Sequence, residues 1–349
     1  MSLLFYIHAI KECEISKLEK LKKNEHLKST GRGSSKNLNI FFMLLWKILP
    51  LYCNVILGFL ASRYLKIDRG TIAGLLVYIF GPMVVFSATI SVEINKAILI
   101  LPIFFYLFSS TLGFIYLKIF QKSWNDSTSN ILAFTAGTGN TGYYGIALAI
   151  ILFEPAIADI FIFSMLASLF YESTSGFYIT AKGSFSTKES LQKVSRLPAL
   201  YAFVLAFILN LLGFSLPESF VQYTGQFKIA FSILGMMLLG IGLRGFGSGS
   251  QIDKKFLKHA LCAKHIVWPT LVCCFILLDK FTYNLLYYDL YKVMFVFSIV
   301  PLAGNTVTLA ILLKAQPEKA AVAVLLSNVL SLIYIPFMLT LYEAFVMNI

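Results

Sequence analysis

From about residue 40 onward the chain alternates long apolar runs with short polar connections. Ten runs appear, at roughly 40–61, 71–92, 97–119, 130–153, 156–180, 198–216, 226–246, 256–278, 292–314 and 318–346. Each approaches or exceeds the roughly 20 residues a helix needs to cross the hydrocarbon of a bilayer. The most polar connection, Lys182 to Arg196, falls between the fifth and sixth runs and divides the chain five plus five. An odd number of spans per half turns the second half upside down relative to the first, the inverted-repeat arrangement of many secondary transporters. The pattern predicts an all-α membrane protein of ten transmembrane helices in two inverted five-helix repeats. Residues 40–181 form the first repeat, 182–197 a central loop and 198–349 the second repeat, with residues 1–39 as a basic, poorly ordered tail.

Two of the runs are interrupted. The fourth contains Gly137-Thr138-Gly139-Asn140-Thr141-Gly142-Tyr143-Tyr144-Gly145, with four glycines in nine residues. Glycine disfavours helix interiors, and lipid offers freed backbone groups no hydrogen bonds, so such a break survives only where protein encloses it or water reaches it. The ninth run carries an echo, Pro301-Leu302-Ala303-Gly304-Asn305-Thr306. Paired interruptions at corresponding places in two halves point to a transporter's substrate site. A second correspondence, Gly81-Pro82-Met83 with Gly235-Met236-Met237, keeps the same order in both halves.

Composition agrees with a bilayer. The 349 residues are 58% hydrophobic and 13% charged, and the mean hydropathy is +0.78, too apolar to clothe a water-soluble globule. The formal charge of +12 raises nucleic acid as a partner, but its lysines and arginines fall mainly in short loops, the anchoring pattern of a polytopic protein. Loops after the odd-numbered runs hold fifteen Lys/Arg and those after the even-numbered runs four, which puts the odd loops in the cytoplasm and both termini outside. The tail, with eight Lys/Arg, argues the opposite orientation. Its opening Ser2 to Ile10 is too short to span and lacks a cleavage site, so a signal peptide is not expected; translation starting at Met43 is an alternative. Cys13, Cys53, Cys262, Cys273 and Cys274 are scattered and form neither a disulfide framework nor a metal site.

Gly137-x-Gly139-x-x-Gly142 matches the dinucleotide fingerprint, with Asp159 at a suitable distance for a ribose contact, but that motif needs a strand before it and a soluble parallel sheet around it. A closer likeness covers the chain from about residue 43 to its end. Gly139-Asn140-Thr141-Gly142-Tyr143-Tyr144-Gly145-Ile146-Ala147-Leu148-Ala149, Leu209 to Pro217, Leu238 to Leu243 and Pro301 to Ala310 are similar to the fourth, sixth, seventh and ninth spans of the auxin efflux carrier family. That resemblance implies that helices 4 and 9 are broken and cross near the bilayer middle, in a bundle that moves against a scaffold of the first two spans of each half. It also implies export of small organic acids, often by homodimers. Two departures stand out: Ala147 where the family usually has proline, and Glu172 within the fifth span.

The chemistry follows from the breaks. Half-helix N-termini aimed at the centre each carry about half a positive charge, which suits a carboxylate. The expected substrate-binding residues are Gly139, Asn140 and Thr141 with Gly304, Asn305 and Thr306. The asparagines hold a polar solute at little desolvation cost, cap the broken ends, or do both. Tyr143 and Tyr144 are read as packing residues. Ionisable groups inside spans are costly, so Glu172, Lys264 and His265 are assigned a proton or charge role, with Glu172 pairing with Lys264 or His265 as one arrangement. Gly245 to Ser250 reads as a surface loop or a flexible connection between moving parts. The reading is a non-enzymatic secondary transporter of organic anions in a plasma or inner membrane, with no cofactor, metal or nucleic acid. The alternatives are a sodium-coupled bile-acid-type symporter, a cation/proton antiporter, or a membrane receptor that does not transport. Too few ionisable residues converge for a membrane-embedded enzyme.

Overall fold

A computed structural model describes residues 33–181, 188, 198–243 and 252–346. The tail 1–32, nearly all of the 182–197 connection and Gly245 to Ser250 lie outside the described residues, and nothing below bears on them. The described chain is helical throughout, with no strand. We number its helices α1 (Gly33–Tyr64), α2 (Gly70–Ser91), α3 (Lys96–Phe120), α4 (Thr128–Gly137), α5 (Ile146–Leu152), α6 (Pro155–Ala181), α7 (Pro198–Leu211), α8 (Glu218–Leu243), α9 (Lys254–Phe281), α10 (Tyr288–Ile299), α11 (Asn305–Leu312) and α12 (Pro317–Val346).

Seven of these, α1, α2, α3, α6, α8, α9 and α12, are long and apolar enough to cross a membrane. The three remaining apolar runs differ for local reasons. The fourth and ninth are split into α4/α5 and α10/α11 by their Gly-Asn-Thr stretches, and α7 is a single helix of 14 residues. Large apolar side chains face outward, with Trp46 70%, Ile333 65% and Ile103 60% exposed. Exposed large apolar side chains along helices of spanning length are what lipid covers. The chain is therefore a multi-pass membrane protein at the level of its helices.

Start signals are where physics puts them. Pro155, Pro198 and Pro317 each open a helix, where the missing N–H costs nothing. Asn95 Oδ1 accepts the Ile98 N–H at 3.0 Å to cap α3, and Asp253 Oδ1 accepts the Phe256 N–H at 2.9 Å to cap α9. Inside α2 and α9, Pro82 and Pro269 are each preceded by a widened π turn, Leu76–Phe80 and Ala263–Val267. A proline removes one hydrogen bond of the ladder and crowds the carbonyl one turn back, and the extra residue relieves it.

The first two apolar segments of each half pack on one another: α1 on α8, and α2 on α7 and α8. Two glycines let the α1 and α8 backbones touch. A Cβ on Gly58 would fall 2.0 Å from the Met237 carbonyl oxygen, and one on Gly240 1.9 Å from that of Val55. Asn210 of α7 turns its amide nitrogen onto the carbonyls of Thr89, Ile90 and Val92 at the end of α2, at 3.1, 3.0 and 2.7 Å. The remaining helices form a second group, in which α3 packs on α4 and α6, α9 on α10 and α12, and α11 on α12. Phe105 stacks on Phe297 with ring centres 3.8 Å apart, joining α3 to α10. α12 and α6 also touch the first group, through α1 and α2.

Candidate functional site

The first break is built from the loss of helix at Gly137. A Cβ there would lie 2.2 Å from the Tyr171 hydroxyl and 2.6 Å from the Ser109 carbonyl oxygen, so only glycine lets α4 end against these neighbours. Thr138 then turns extended (φ −118, ψ 161). The carbonyls α4 leaves open are answered by side chains: Tyr171 donates its O–H to Phe134 at 3.1 Å and Trp268 its Nε1–H to Ala136 at 2.7 Å. On the far side a π turn, Thr141–Gly145, leads into α5. Asn140 Oδ1 accepts the Tyr144 N–H at 3.3 Å, a weak cap on that turn.

The second break has a different construction. α10 ends at Ile299, Val300 is extended, and Val300, Pro301 and Leu302 are all buried. Leu302 N–H is taken by Ser327 Oγ of α12 at 2.8 Å. The Pro301 carbonyl accepts the Asn140 backbone N–H at 2.7 Å, which joins the two breaks directly. The Asn140 N–H, the Pro301 carbonyl and the Leu302 N–H, which no helix satisfies, are thus paired between the breaks or with a side chain.

Where the breaks meet, a cavity of about 120 Å³ opens. A single water needs roughly 10–15 Å³ by the same measure, so the space takes several waters or one small solute. Gly139, Asn140, Thr141, Gly142 and Tyr143 line it from one break and Ala303, Gly304 and Asn305 from the other, with Ser168 and Glu172 of α6 between. Leu76, Val85, Met165 and Phe231 make the apolar wall. Glu172 is the one charged residue among those lining it. Its two oxygens are shared between the breaks: Thr138 Oγ1 donates to Oε1 at 2.8 Å and Asn305 Nδ2 to Oε2 at 3.0 Å. Thr141 Oγ1 donates to Ser168 Oγ at 3.0 Å. Asn140, 3% exposed, has an amide nitrogen with no hydrogen-bond partner.

The residues expected at the site divide accordingly. Gly139, Asn140, Thr141, Gly304, Asn305 and Glu172 share the cavity. Thr306 is buried outside it, its hydroxyl without a partner. Lys264 is buried behind the first break: a Cβ on Gly139 would sit 2.5 Å from its Nζ, which lies 3.9 Å over the Trp268 ring and makes no hydrogen bond. His265 faces α12, with Nδ1 3.2 Å from the Leu261 carbonyl, Nε2 3.5 Å from Ser327 Oγ and Tyr334 edge-on. The arrangement in which Glu172 pairs with Lys264 or His265 is not the one adopted: Thr138 and Asn305 hold the carboxylate, while Lys264 lies over Trp268 and His265 faces Leu261 and Ser327. Tyr144 is fully buried and meets Tyr52 O–H at 3.1 Å; Tyr143 packs on Phe231 and into the space left by Gly235. Asp159 forms an ion pair with Lys228, not a nucleotide contact.

Sequence reading did not single out Thr138, Ser168, Trp268 or Ser327. Of these Ser327, next to Asn328 inside the apolar 318–346 run, carried a visible polar signal. No group of three or more His, Cys, Asp or Glu that could hold a metal occurs among the described residues. No family model matches the chain, and no curated protein matches it.

Proposed function

We propose that this chain is a secondary transporter of small organic anions, auxin-like or dicarboxylic, of the auxin efflux carrier type. In this reading ten spans form two inverted repeats, the α4/α5 and α10/α11 segments cross, and the solute sits at the crossing during alternating access. The observation that carries it is a cavity lined by residues of both breaks, which the Asn140–Pro301 hydrogen bond holds together. The first residues of the Thr141–Gly145 turn and of α11 line that space, and Asn140, which lines it too, has a buried amide nitrogen left unused. An unpaired buried donor costs roughly 1–3 kcal/mol, which a bound carboxylate repays. The grouping of α1, α2, α7 and α8 supports a scaffold against which the other helices rock. Reconstituted protein should show saturable flux of labelled carboxylates, and Asn140→Ala and Asn305→Ala should abolish it while the protein stays folded. Wild-type flux in both variants would remove these residues from the solute's path.

One observation favours a second reading. Glu172 is the charge in the cavity while Lys264 is outside it, an arrangement suited to a cation exchanged for protons. Flux of a labelled monovalent cation, with carboxylates inert, would decide for that alternative.

A further inference from the structure

Glu172 stands where a solute's carboxylate would stand. It is a carboxylate on the cavity wall, held by the Asn305 amide from one break and the Thr138 hydroxyl from the other. As an ion it consumes the Asn305 donor and sets a negative charge beside any incoming anion. In a space of about 120 Å³ two like charges lie close enough to repel, which favours neutralising one of them.

We infer that Glu172 is an internal competitor for the anion subsite, so that a carboxylate solute binds only together with one proton on Glu172. This rests on the anion-transport reading above. The step balances simply. Glu172–COO⁻ takes one proton from water on the open side and becomes Glu172–COOH, releasing Asn305 Nδ2. The solute's carboxylate then meets three donors on the cavity wall, the Asn140 and Asn305 amides and the new Glu172 O–H. When the solute leaves on the other side the proton leaves with it, and Asn305 returns to Glu172. Transport of a monocarboxylate by this route is electroneutral.

The other groups around Glu172 are accounted for. Tyr171 beside it is committed to α4 carbonyls, and Tyr106 of α3 pairs with Thr174 at 3.2 Å. Tyr143 lines the cavity on the Phe231 side. Lys264 and His265 of α9 face Trp268 and Ser327. Asp159 neutralises Lys228. Among the described residues the hydrogen bonds to the Glu172 carboxylate come from Thr138 and Asn305.

The test measures binding and flux separately on the full chain. Thermal-shift titrations with phenylacetate and malonate run over a pH range in which phenylacetate stays ionised. Wild-type affinity for phenylacetate should fall toward tenfold per pH unit as pH rises, the limit for one linked proton. Glu172→Gln, a neutral isostere whose amide mimics the protonated acid, should bind without that slope and more tightly at the alkaline end. Glu172→Asp, Lys264→Met and His265→Gln should keep it. In proteoliposomes, an imposed pH gradient should drive malonate accumulation by wild type, whereas Glu172→Gln should only exchange malonate down its own gradient. A slope that survives in Glu172→Gln, or vanishes in His265→Gln, overturns the inference. The expected binding pattern without any flux would uphold the role of Glu172 and overturn the transport reading instead.

Discussion

The backbone N–H of Asn140 meets the carbonyl oxygen of Pro301 at 2.7 Å, so each interrupted segment supplies what the other lacks. Proline contributes no N–H but keeps its acceptor, and Asn140 sits at φ −76, ψ 59, outside the helical region, where its own N–H has no partner one turn back. The side chain of Asn140, which lines the cavity, then caps the turn through Oδ1 and is left with an unused donor at Nδ2.

Substitution tests both atoms. Asn140→Asp keeps an acceptor for the Tyr144 N–H but, when ionised, sets a negative charge beside the cavity, so the protein should lose carboxylate-induced thermal stabilisation and melt lower than wild type from the cost of burying that charge. Asn140→Ala should lose cap and donor alike, with a stability cost of about 1 kcal/mol. Differential scanning fluorimetry of the detergent-solubilised protein, with and without malonate, reads both quantities; an Asp variant that responds to malonate like wild type refutes the assignment.

The glycines of α8 should behave differently from one another. Gly240→Ala drives a Cβ into the Val55 carbonyl and should destabilise the protein by roughly 3 kcal/mol, as overpacking does. Gly225→Ala, on the same helix with nothing within 4 Å, should be neutral or stabilising by up to roughly 1 kcal/mol. Equal melting temperatures for the two variants would contradict the close backbone contact of α1 and α8.

Lys264 buries its amine over the Trp268 ring without a hydrogen bond. Replacing such an unsatisfied polar group with an apolar side chain of similar length removes its desolvation penalty, so Lys264→Met should melt higher than wild type, by roughly 1 kcal/mol or more in stability. A variant that unfolds would mean that Lys264 has a partner on which the fold depends.

At the ends of the spans, Lys319 in the first turn of α12 joins Asp253 at 3.0 Å and Asp126 at 3.8 Å, and Trp124 Nε1 donates to Asp253 at 2.9 Å. Partial burial raises both carboxyls. Hydrogen bonds from Phe256, Lys319 and Trp124 to Asp253, and from Thr128 to Asp126, together with the Lys319 charge, outweigh it and hold both below the ordinary value of 3.8. A folded-state value below the unfolded one means that the stabilisation is complete above the unfolded value and is lost as pH falls through the folded one. Melting temperature should therefore drop more steeply below pH 3.8 in wild type than in Lys319→Met, in which the two carboxyls lose their shared cation.

Much of this was readable before any coordinates, because glycine and proline act locally. The interruptions at Gly137 and Pro301 follow from residue chemistry, and so do the helix starts at Pro155, Pro198 and Pro317. What a period of 3.6 residues could not convey was rotation. A π turn inserts one residue and turns everything beyond it by about 100°; Lys264 and His265 lie within such a turn, and their faces are not those an unbroken helix predicts. The Thr138–Glu172–Asn305 link was hidden for another reason. It joins three helical segments through side chains whose meeting depends on how α6 packs, and no one segment encodes that.

Asn210 has a mechanical consequence. With one amide shared among the Thr89, Ile90 and Val92 carbonyls, the end of α2 is tied to α7, and sliding either helix alone would strip a partner from three carbonyls at once.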